Sequence, residues 1–276
     1  MTIDSHQHFW KYDSHKHDWI NDDMKVIQRD FMPSDLAPIL KQNKIEGCIA
    51  VQAEQHENET DFLVELGDKN DFIKGIVGWV DLRADNIYDR LEHYSQFEKL
   101  KGFRHIVQGE SDTEFLLRPK FKHGITALSA FHFTYDILIY HYQLEKAIQF
   151  VKLFPEQTFV IDHIAKPDIK SGEYAEWLIN IKKIALHQNV YCKVSGMITE
   201  ADWHDWKETD FKIYLETIVK AFGTDRIMYG SDFPVCSVAA TYEQQLNIVK
   251  HYFSTFSLVE QKKFMGENAI QFYKLE

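Results

Sequence analysis

Short apolar segments recur along the chain at a nearly constant interval, and each is followed by polar residues and then by an amphipathic stretch. The segments IAV, GIVGWV, FVIDHI and VYCKV are almost continuously apolar, which is typical of parallel strands covered on both faces. The eight segments begin near Ile3, Gly47, Ile73, Gly102, Phe133, Phe159, Val190 and Arg226. Their mean spacing of about 32 residues is the length of one strand joined to one helix, so they predict eight parallel strands.

The stretches between these segments predict helices, because their apolar residues recur at the spacing of one helical face. Ser34 followed by Asp35 predicts an N-cap with an acidic first turn, and thus a helix that begins there. The other helices are predicted at about 59–67, 86–94, 120–128, 144–151, 174–185, 211–218 and 242–253.

Eight alternating strands and helices predict an α/β protein, a single-domain (β/α)8 TIM barrel over residues 1–276. The competing architecture, an open doubly wound sheet, usually carries a glycine-rich turn after its first strand, where this chain has His-Gln-His. Residues 11–33, after the first strand, show no clear periodicity. A segment that long in a compact domain is predicted to be a lid or binding loop, with a solvated surface insertion as the alternative.

Composition narrows the function classes. The formal net charge is −11, which argues against nucleic acid as a partner because phosphate contacts need a surplus of Lys and Arg. No apolar run is long enough for a transmembrane helix, the N-terminus does not resemble a signal peptide, and three scattered cysteines do not form a disulfide framework. We therefore expect a soluble, cytoplasmic protein without a membrane partner. Association into a homo-oligomer through the barrel helices is an open alternative.

Ionisable groups stand at nearly every predicted strand end, where the catalytic residues of such barrels lie. We therefore favour a barrel whose rim carries a catalytic site over a barrel that serves only as a scaffold. The polar and aromatic candidates at these positions are His6, Gln7, His8, Gln52, Glu54, Trp79, Asp81, Arg104, His105, Tyr135, Asp136, Asp162, His163, Lys166, Lys193, Ser195, Ser231 and Asp232.

His6 and His8 carry the strongest signal among these candidates. Two residues apart in a strand, their side chains leave on the same face and can converge on one metal ion or one anionic oxygen. His163 and Asp232, at later strand ends, bring the set to two to four ligands for a Zn-like ion. Asp232 is also a candidate proton shuttle. The alternative is that the histidines are ordinary hydrogen-bonded groups.

Other residues at the rim are candidates for substrate binding. Trp79 and Tyr135 offer flat rings that can pack on an uncharged ring such as a sugar lactone. Arg104 is interpreted as a group that binds an oxyanion or a hydroxyl. Ser195 stands in Val-Ser-Gly rather than in a nucleophile elbow, so a serine nucleophile is disfavoured. His17, inside the 11–33 segment, is expected to be solvated.

The motifs DSHQHFW, VGWVDL, KGFRHIVQ, VIDHIAKP, VSGM and RIMYGSDFPV resemble those of the amidohydrolase superfamily. The resemblance runs from about residue 3 to 273. It is closest to the branch of metal-dependent hydrolases typified by L-fuconolactonase, L-rhamnonolactonase and the lactonases of pyrone-dicarboxylate and sulfomuconolactone. The resemblance implies a hydrolase that opens a lactone to its hydroxy acid.

The resemblance also implies roles for particular residues. His6, His8, His163 and Asp232 match the family's strand-end set, and Arg104 matches an arginine that contacts substrate. The chain departs from the binuclear pattern, since no lysine stands at the fourth strand end and Lys101 precedes the predicted start of that strand at Gly102. We therefore expect at most one divalent ion, Zn-like, or metal-independent hydrolysis. Asp232 would accept a proton from the attacking water and return it to the ring oxygen.

The choice of substrate follows from charge. A dicarboxylate lactone requires several arginines, whereas the strand ends offer Arg104, with Lys166 and Lys193 as further candidates. The remaining polar set, which includes Glu54, better suits a neutral polyol ring. We therefore expect a sugar-acid lactone of the L-fucono or L-rhamnono type. The alternatives are a dicarboxylate or muconolactone-type lactone, a zinc-dependent decarboxylase of an aromatic-type acid, and a non-catalytic module that binds sugar acids.

Overall fold

Eight parallel strands form one sheet, in which the strands follow one another in the order of the chain. The computed structural model describes residues 1–276. The predicted strands are all present, because each apolar segment is buried on both faces, between the barrel interior and the surrounding helices. The strands are β1 (Ile3–Gln7), β2 (Gly47–Val51), β3 (Ile73–Gly78), β4 (Leu100–Ile106), β5 (Thr134–Leu138), β6 (Phe159–Ile161), β7 (Val190–Val194) and β8 (Ile227–Tyr229).

Backbone hydrogen bonds close the sheet just beyond β8. Asp232 N donates to His6 O at 2.8 Å, and His8 N donates to Phe233 O at 2.7 Å. The same pairing brings Asp232 beside the two histidines of β1. The (β/α)8 barrel predicted from the periodicity is confirmed, and its closure point coincides with the predicted site.

Helices surround the barrel and cover its outer face. None of them is both long and apolar enough to cross a membrane. They are α1 (Pro33–Asn43), α2 (Glu57–Lys69), α3 (Ile87–Tyr94), α4 (Pro119–Ala130), α5 (Leu144–Lys152), α6 (Ala175–Ile184), α7 (Glu208–Phe222), α8 (Tyr242–Phe253), α9 (Leu258–Lys262) and α10 (Asn268–Tyr273).

The start of α1 corrects one prediction. Ser34 is not the N-cap, because the helix begins at Pro33 and Met32 occupies the cap position. Proline is favoured at the first helical position, where its missing N–H has no partner to lose. The Asp35 side chain accepts a hydrogen bond from Met32 N at 2.9 Å and so satisfies the helix start from within the first turn.

The segment 11–33 is packed against the barrel rim. A short 3-10 helix at Asp22–Ile27 buries Met24 and Ile27. Backbone hydrogen bonds between Trp10 and Phe31 join the two ends of the segment. His17, expected to be solvated, is buried between the rings of Trp10 and Tyr12, so that expectation is wrong. A role of this segment as a lid stays a prediction.

The amino-terminal end of the barrel is closed by apolar packing. Phe272 and Tyr273 of α10 lie against a buried cluster within the strands. The strand members of that cluster are Ile3, Ile49, Val51, Val77, Val160 and Met228. Charged and histidine side chains then occupy the opposite, carboxyl-terminal half of the barrel.

Candidate active site

Three imidazoles converge on one carboxylate at the carboxyl ends of β1, β6 and β8. Asp232 Oδ1 lies 3.4 Å from His8 Nε2, 3.9 Å from His6 Nε2 and 3.9 Å from His163 Nε2. His6 Nε2 and His8 Nε2 are 3.2 Å apart. The four residues, here called the His/Asp cluster, are all nearly fully buried. The structure therefore brings together the four residues that the sequence singled out.

Two members of the cluster stand on left-handed backbone. His163 has φ 52° and Asp232 has φ 58°, a region that non-glycine residues adopt rarely. The left-handed conformation continues through Lys166, so the turn after β6 is built from four such residues. Strain of this kind persists only where the surroundings fix it, and it is concentrated at functional sites.

Gly196, in the VSGM motif after β7, gives the His163 ring its space. A Cβ at this position would lie 2.5 Å from His163 Nδ1, closer than any carbon can approach. Its neighbour Ser195 places Oγ 3.0 Å from the same Nδ1 atom. The motif therefore orients His163 rather than supplying a nucleophile, and the sequence signal for this role was the small residue pair at a strand end.

The imidazoles of the cluster are neutral near pH 7. Burial lowers the pKa of His8, and it lowers the pKa of His6 and His163 well below the ordinary value. His8 Nδ1 lies 2.8 Å from Val51 O, an acceptor, so Nδ1 carries the proton and Nε2 offers a lone pair to the cluster.

A buried charged layer lies below the cluster. Asp162 contacts Arg104 Nη1 at 3.0 Å and Lys193 Nζ at 3.0 Å. Lys193 also pairs with Asp136. Burial acts to raise the pKa of Asp162, but Lys193, His6 and Arg104 together outweigh it and hold that pKa well below the usual range. Two carboxylates thus neutralise two cations, which leaves Asp232 as the unpaired anion of the site.

The charged layer supports His6 directly. His6 Nδ1 lies 3.2 Å from Asp162 Oδ1 and 3.2 Å from Lys193 Nζ. Arg104 Nη1 lies 3.2 Å from His6 Nε2. The sequence marked Asp162 and Lys193 as strand-end groups but assigned them no role, because it does not show which side chains meet below the rim.

The donor set fits a divalent metal ion. His6, His8 and Asp232 each offer a ligand atom within 4.8 Å of the others, and His6, Asp162 and His163 form a second such group. Two nitrogen donors with a carboxylate oxygen suit a Zn-like ion. Because the Val51 contact leaves a lone pair on His8 Nε2, the group His6, His8 and Asp232 is the better fit for the ion. Asp162 is already neutralised by Arg104 and Lys193, which disfavours the second.

Among the five predicted substrate-binding residues, Arg104 lies in the buried charged layer, and the other four divide into two sets. Glu54 lies 3.4 Å from Lys16 of the 11–33 segment, Trp79 Nε1 donates to His105 Nδ1 at 3.4 Å, and Lys166 lies 3.7 Å from Glu200. These side chains are partly exposed at the rim. Glu200 was missed, because it stands six residues beyond the end of β7.

Tyr135 belongs to the other set, since the structure does not bring it to the rim. Its ring is fully buried between the barrel and the helices, against Phe121, Phe150 and Phe159. Successive strand residues point to opposite faces, so Asp136 faces the barrel interior and Tyr135 faces outward. We therefore leave Tyr135 out of the site.

The fold and the His/Asp cluster at its carboxyl rim define a hydrolase of the (β/α)8 class. The chain belongs to the amidohydrolase family, whose family model matches residues 3–275.

Relatives extend over the full length of the chain. It is similar to L-fucono-1,5-lactonase of Burkholderia multivorans (strain ATCC 17616 / 249), with 35% identity over 100% of this chain and 96% of that protein. An L-fucono-1,5-lactonase of Burkholderia ambifaria is 30% identical over 99% of this chain and 96% of that protein. The crystal structure of a Burkholderia multivorans amidohydrolase with bound zinc superposes with a TM-score of 0.96 at 35% identity, and the match covers 100% of both chains.

Proposed function

We propose that this protein hydrolyses a sugar-acid lactone of the L-fucono-1,5-lactone type, or its L-rhamnono counterpart, to the open hydroxy acid. The observation that carries the proposal is the single unpaired carboxylate, Asp232, within 3.4 to 3.9 Å of three imidazole nitrogens. The full-length similarity to two L-fucono-1,5-lactonases supports the substrate class.

Asp232 acts as the proton carrier in this proposal. Its carboxylate accepts a proton from water as the water oxygen attacks the lactone carbonyl. The proton then passes from Asp232 to the ring oxygen when the tetrahedral intermediate collapses and the ring C–O bond breaks. The neutral imidazoles beside it do not compete for the proton, because burial holds their pKa values low.

In this proposal the carbonyl oxygen is polarised by Arg104 and His163. Arg104 Nη1 lies 3.2 Å from His6 Nε2, and Ser195 Oγ lies 3.0 Å from His163 Nδ1, so the guanidinium and His163 Nε2 can donate to the negative charge that develops on that oxygen. His6, His8 and Asp232, with His163 beside them, would hold a divalent ion, which when bound supplies Lewis-acid polarisation of the carbonyl. Zinc in the related crystal structure supports that assignment.

The charge of the site favours an uncharged ring over a dicarboxylate. Arg104 is already paired with Asp162, and Lys166 lies beside Glu200, so neither cation is surplus. A dicarboxylate would enter a site whose unpaired group is an anion. The decarboxylase alternative is disfavoured, because the zinc decarboxylases are expected to add a histidine at the end of β5, and β5 (TYDIL) has none.

Proton release from the purified protein tests the proposal. A weakly buffered pH indicator would follow a panel of sugar 1,4- and 1,5-lactones and one dicarboxylate lactone, each with and without chelator. We expect the fastest hydrolysis with a deoxy-sugar 1,5-lactone, and sensitivity to chelator if the His/Asp cluster holds the ion. Silence across the panel, or hydrolysis confined to the dicarboxylate, would contradict the proposal. Cytoplasmic location and homo-oligomerisation stay predictions.

A further inference from the structure

Two ion pairs join the loop after β6 to the loop after β7, and they differ in exposure. The inner pair is Lys166 with Glu200, whose side chains are 17% and 20% exposed. The outer pair is Lys170 with Asp202, whose side chains are 66% and 45% exposed. A backbone hydrogen bond of 3.0 Å from Lys170 N to Glu200 O holds the two loops together. The same charge combination is thus present twice, once largely enclosed and once in solvent.

One member of the inner pair stands on a turn that carries the His/Asp cluster, and the other stands on the neighbouring loop. Lys166 ends the left-handed turn that begins at His163, and its N–H donates to His163 O at 2.8 Å. Glu200 ends a short 3-10 turn that follows β7. Burial raises the pKa of the Glu200 carboxyl, and the nearby charge of Asp232 acts in the same direction. Lys166 therefore shares a turn with His163 of the His/Asp cluster, and Glu200 faces it from the next loop.

The geometry of the inner pair leaves both charges available to a ligand. Lys166 Nζ and Glu200 Oε1 are 3.7 Å apart, longer than a direct hydrogen bond. A hydroxyl placed between them would accept from the ammonium and donate to the carboxylate. The ring of Tyr140 lies 5.5 Å from Lys166 Nζ and offers an apolar face beside this position. The pair has no net charge, so it suits a neutral ring that carries hydroxyls.

We propose that Lys166 and Glu200 determine specificity by binding a hydroxyl, or two adjacent hydroxyls, of the lactone ring. The inference rests on the proposed lactonase function. A site built to bind a hydroxyl rejects the analogue that lacks it, because the charged partners are then left unpaired. The expected discrimination is about 10- to 100-fold in kcat/KM.

The test measures kcat and KM for L-fucono-1,5-lactone and for its monodeoxy analogues. The inner variants are Lys166→Met and Glu200→Gln, and the matched outer controls are Lys170→Met and Asp202→Asn. Thermal unfolding verifies that each variant folds, and Glu200→Asp replaces Glu200→Gln if the latter does not. We expect the wild-type protein and the outer variants to prefer the full lactone over one monodeoxy analogue. The inner variants should lose that preference, mainly through KM.

Two results would overturn the inference. In one, the inner variants keep the wild-type preference. In the other, they lose kcat equally on every lactone, which would place the pair in the catalytic machinery instead. If the wild-type protein hydrolyses no lactone, the proposed function fails and the inference fails with it, a result distinct from both.

Discussion

The two ends of the barrel are built from the same strands but solve different problems. At the amino-terminal end, β1 contributes Ile3 to an apolar cluster that α10 covers with Phe272. At the carboxyl-terminal end, the same strand places His6 near Asp232, and His8, the first residue beyond the strand, also lies near Asp232. One end carries buried hydrocarbon, and the other carries buried charge and left-handed backbone.

The difference indicates that the amino-terminal end contributes mainly to the stability of the fold and the carboxyl-terminal end mainly to the chemistry. Burying apolar side chains stabilises the fold at about 25 cal/mol per Å². Burying the charges of Asp162, Arg104 and Lys193 costs free energy that their mutual contacts offset only in part. Substitutions at the apolar end should therefore change stability, whereas substitutions at the polar rim should change activity.

The largest expected effect is the loss of the proton carrier. Asp232→Asn keeps the shape of the side chain but accepts no proton, so we expect kcat/KM for lactone hydrolysis to fall by about 10³-fold or more. Circular dichroism should stay unchanged. Asp68→Asn, on the exposed face of α2, is the control with full activity. Near wild-type turnover by Asp232→Asn would remove Asp232 from the mechanism.

The apolar end should give the opposite result. Phe272→Ala leaves a cavity against Tyr191 and Tyr273, so we expect the free energy of unfolding to drop by about 3 to 5 kcal/mol. The kcat at a temperature where the variant is folded should not change. Urea denaturation measures the loss, and Tyr142→Ala, at an exposed side chain, is the control within about 0.5 kcal/mol. A large fall in kcat would contradict the claim that the amino-terminal end affects stability and not activity.

A buried acid near the rim should make stability depend on pH. Burial raises the pKa of Glu59 to about 7, while Ala53 N donates to its carboxylate. A raised carboxyl pKa means that Glu59 contributes stability at low pH, which is lost as pH rises from about 4.5 through 7. Glu59→Gln should therefore gain up to about 3 kcal/mol over wild type between pH 4 and pH 8. Urea denaturation at a series of pH values measures the free energy of unfolding of both proteins. A difference between the two free energies that stays constant with pH would contradict this prediction.

The smallest effect is expected from a substitution at Gly196, which gives the His163 ring its space. Gly196→Ala places a Cβ against the His163 ring, so we expect about a 10- to 100-fold fall in kcat/KM. Gly172→Ala is the matched control, because Gly172 also has a positive φ of 71° but has no atom within 4 Å of its added Cβ. Steady-state kinetics on both variants separates the clash from the backbone strain. Equal losses in the two variants would argue against a positioning role for Gly196.

The sequence was sufficient for the fold and for the four cluster residues. Apolar periodicity identifies buried strands, and a polar group at a strand end meets the other strand ends because the barrel brings them together. This argument predicts that His6 and His163 meet although they are far apart in sequence, and the family resemblance implies the same set.

The sequence was insufficient where orientation or loop packing decides the outcome. Whether Tyr135 or its neighbour Asp136 faces the interior depends on strand pleat, which an apolar segment buried on both faces does not reveal. His17 is buried by the rings of Trp10 and Tyr12, and Glu200 reaches the rim through a turn without periodicity. These contacts form between segments that carry no regular pattern.

One measurement tests the central claim most directly: nuclear magnetic resonance of L-fucono-1,5-lactone incubated with the protein in water enriched in oxygen-18, followed by mass spectrometry of the product. The account predicts that wild-type protein consumes the lactone far faster than a protein-free sample and yields the open hydroxy acid with one labelled oxygen in its carboxylate. Consumption no faster than the blank, or a product that has lost carbon dioxide, would contradict it.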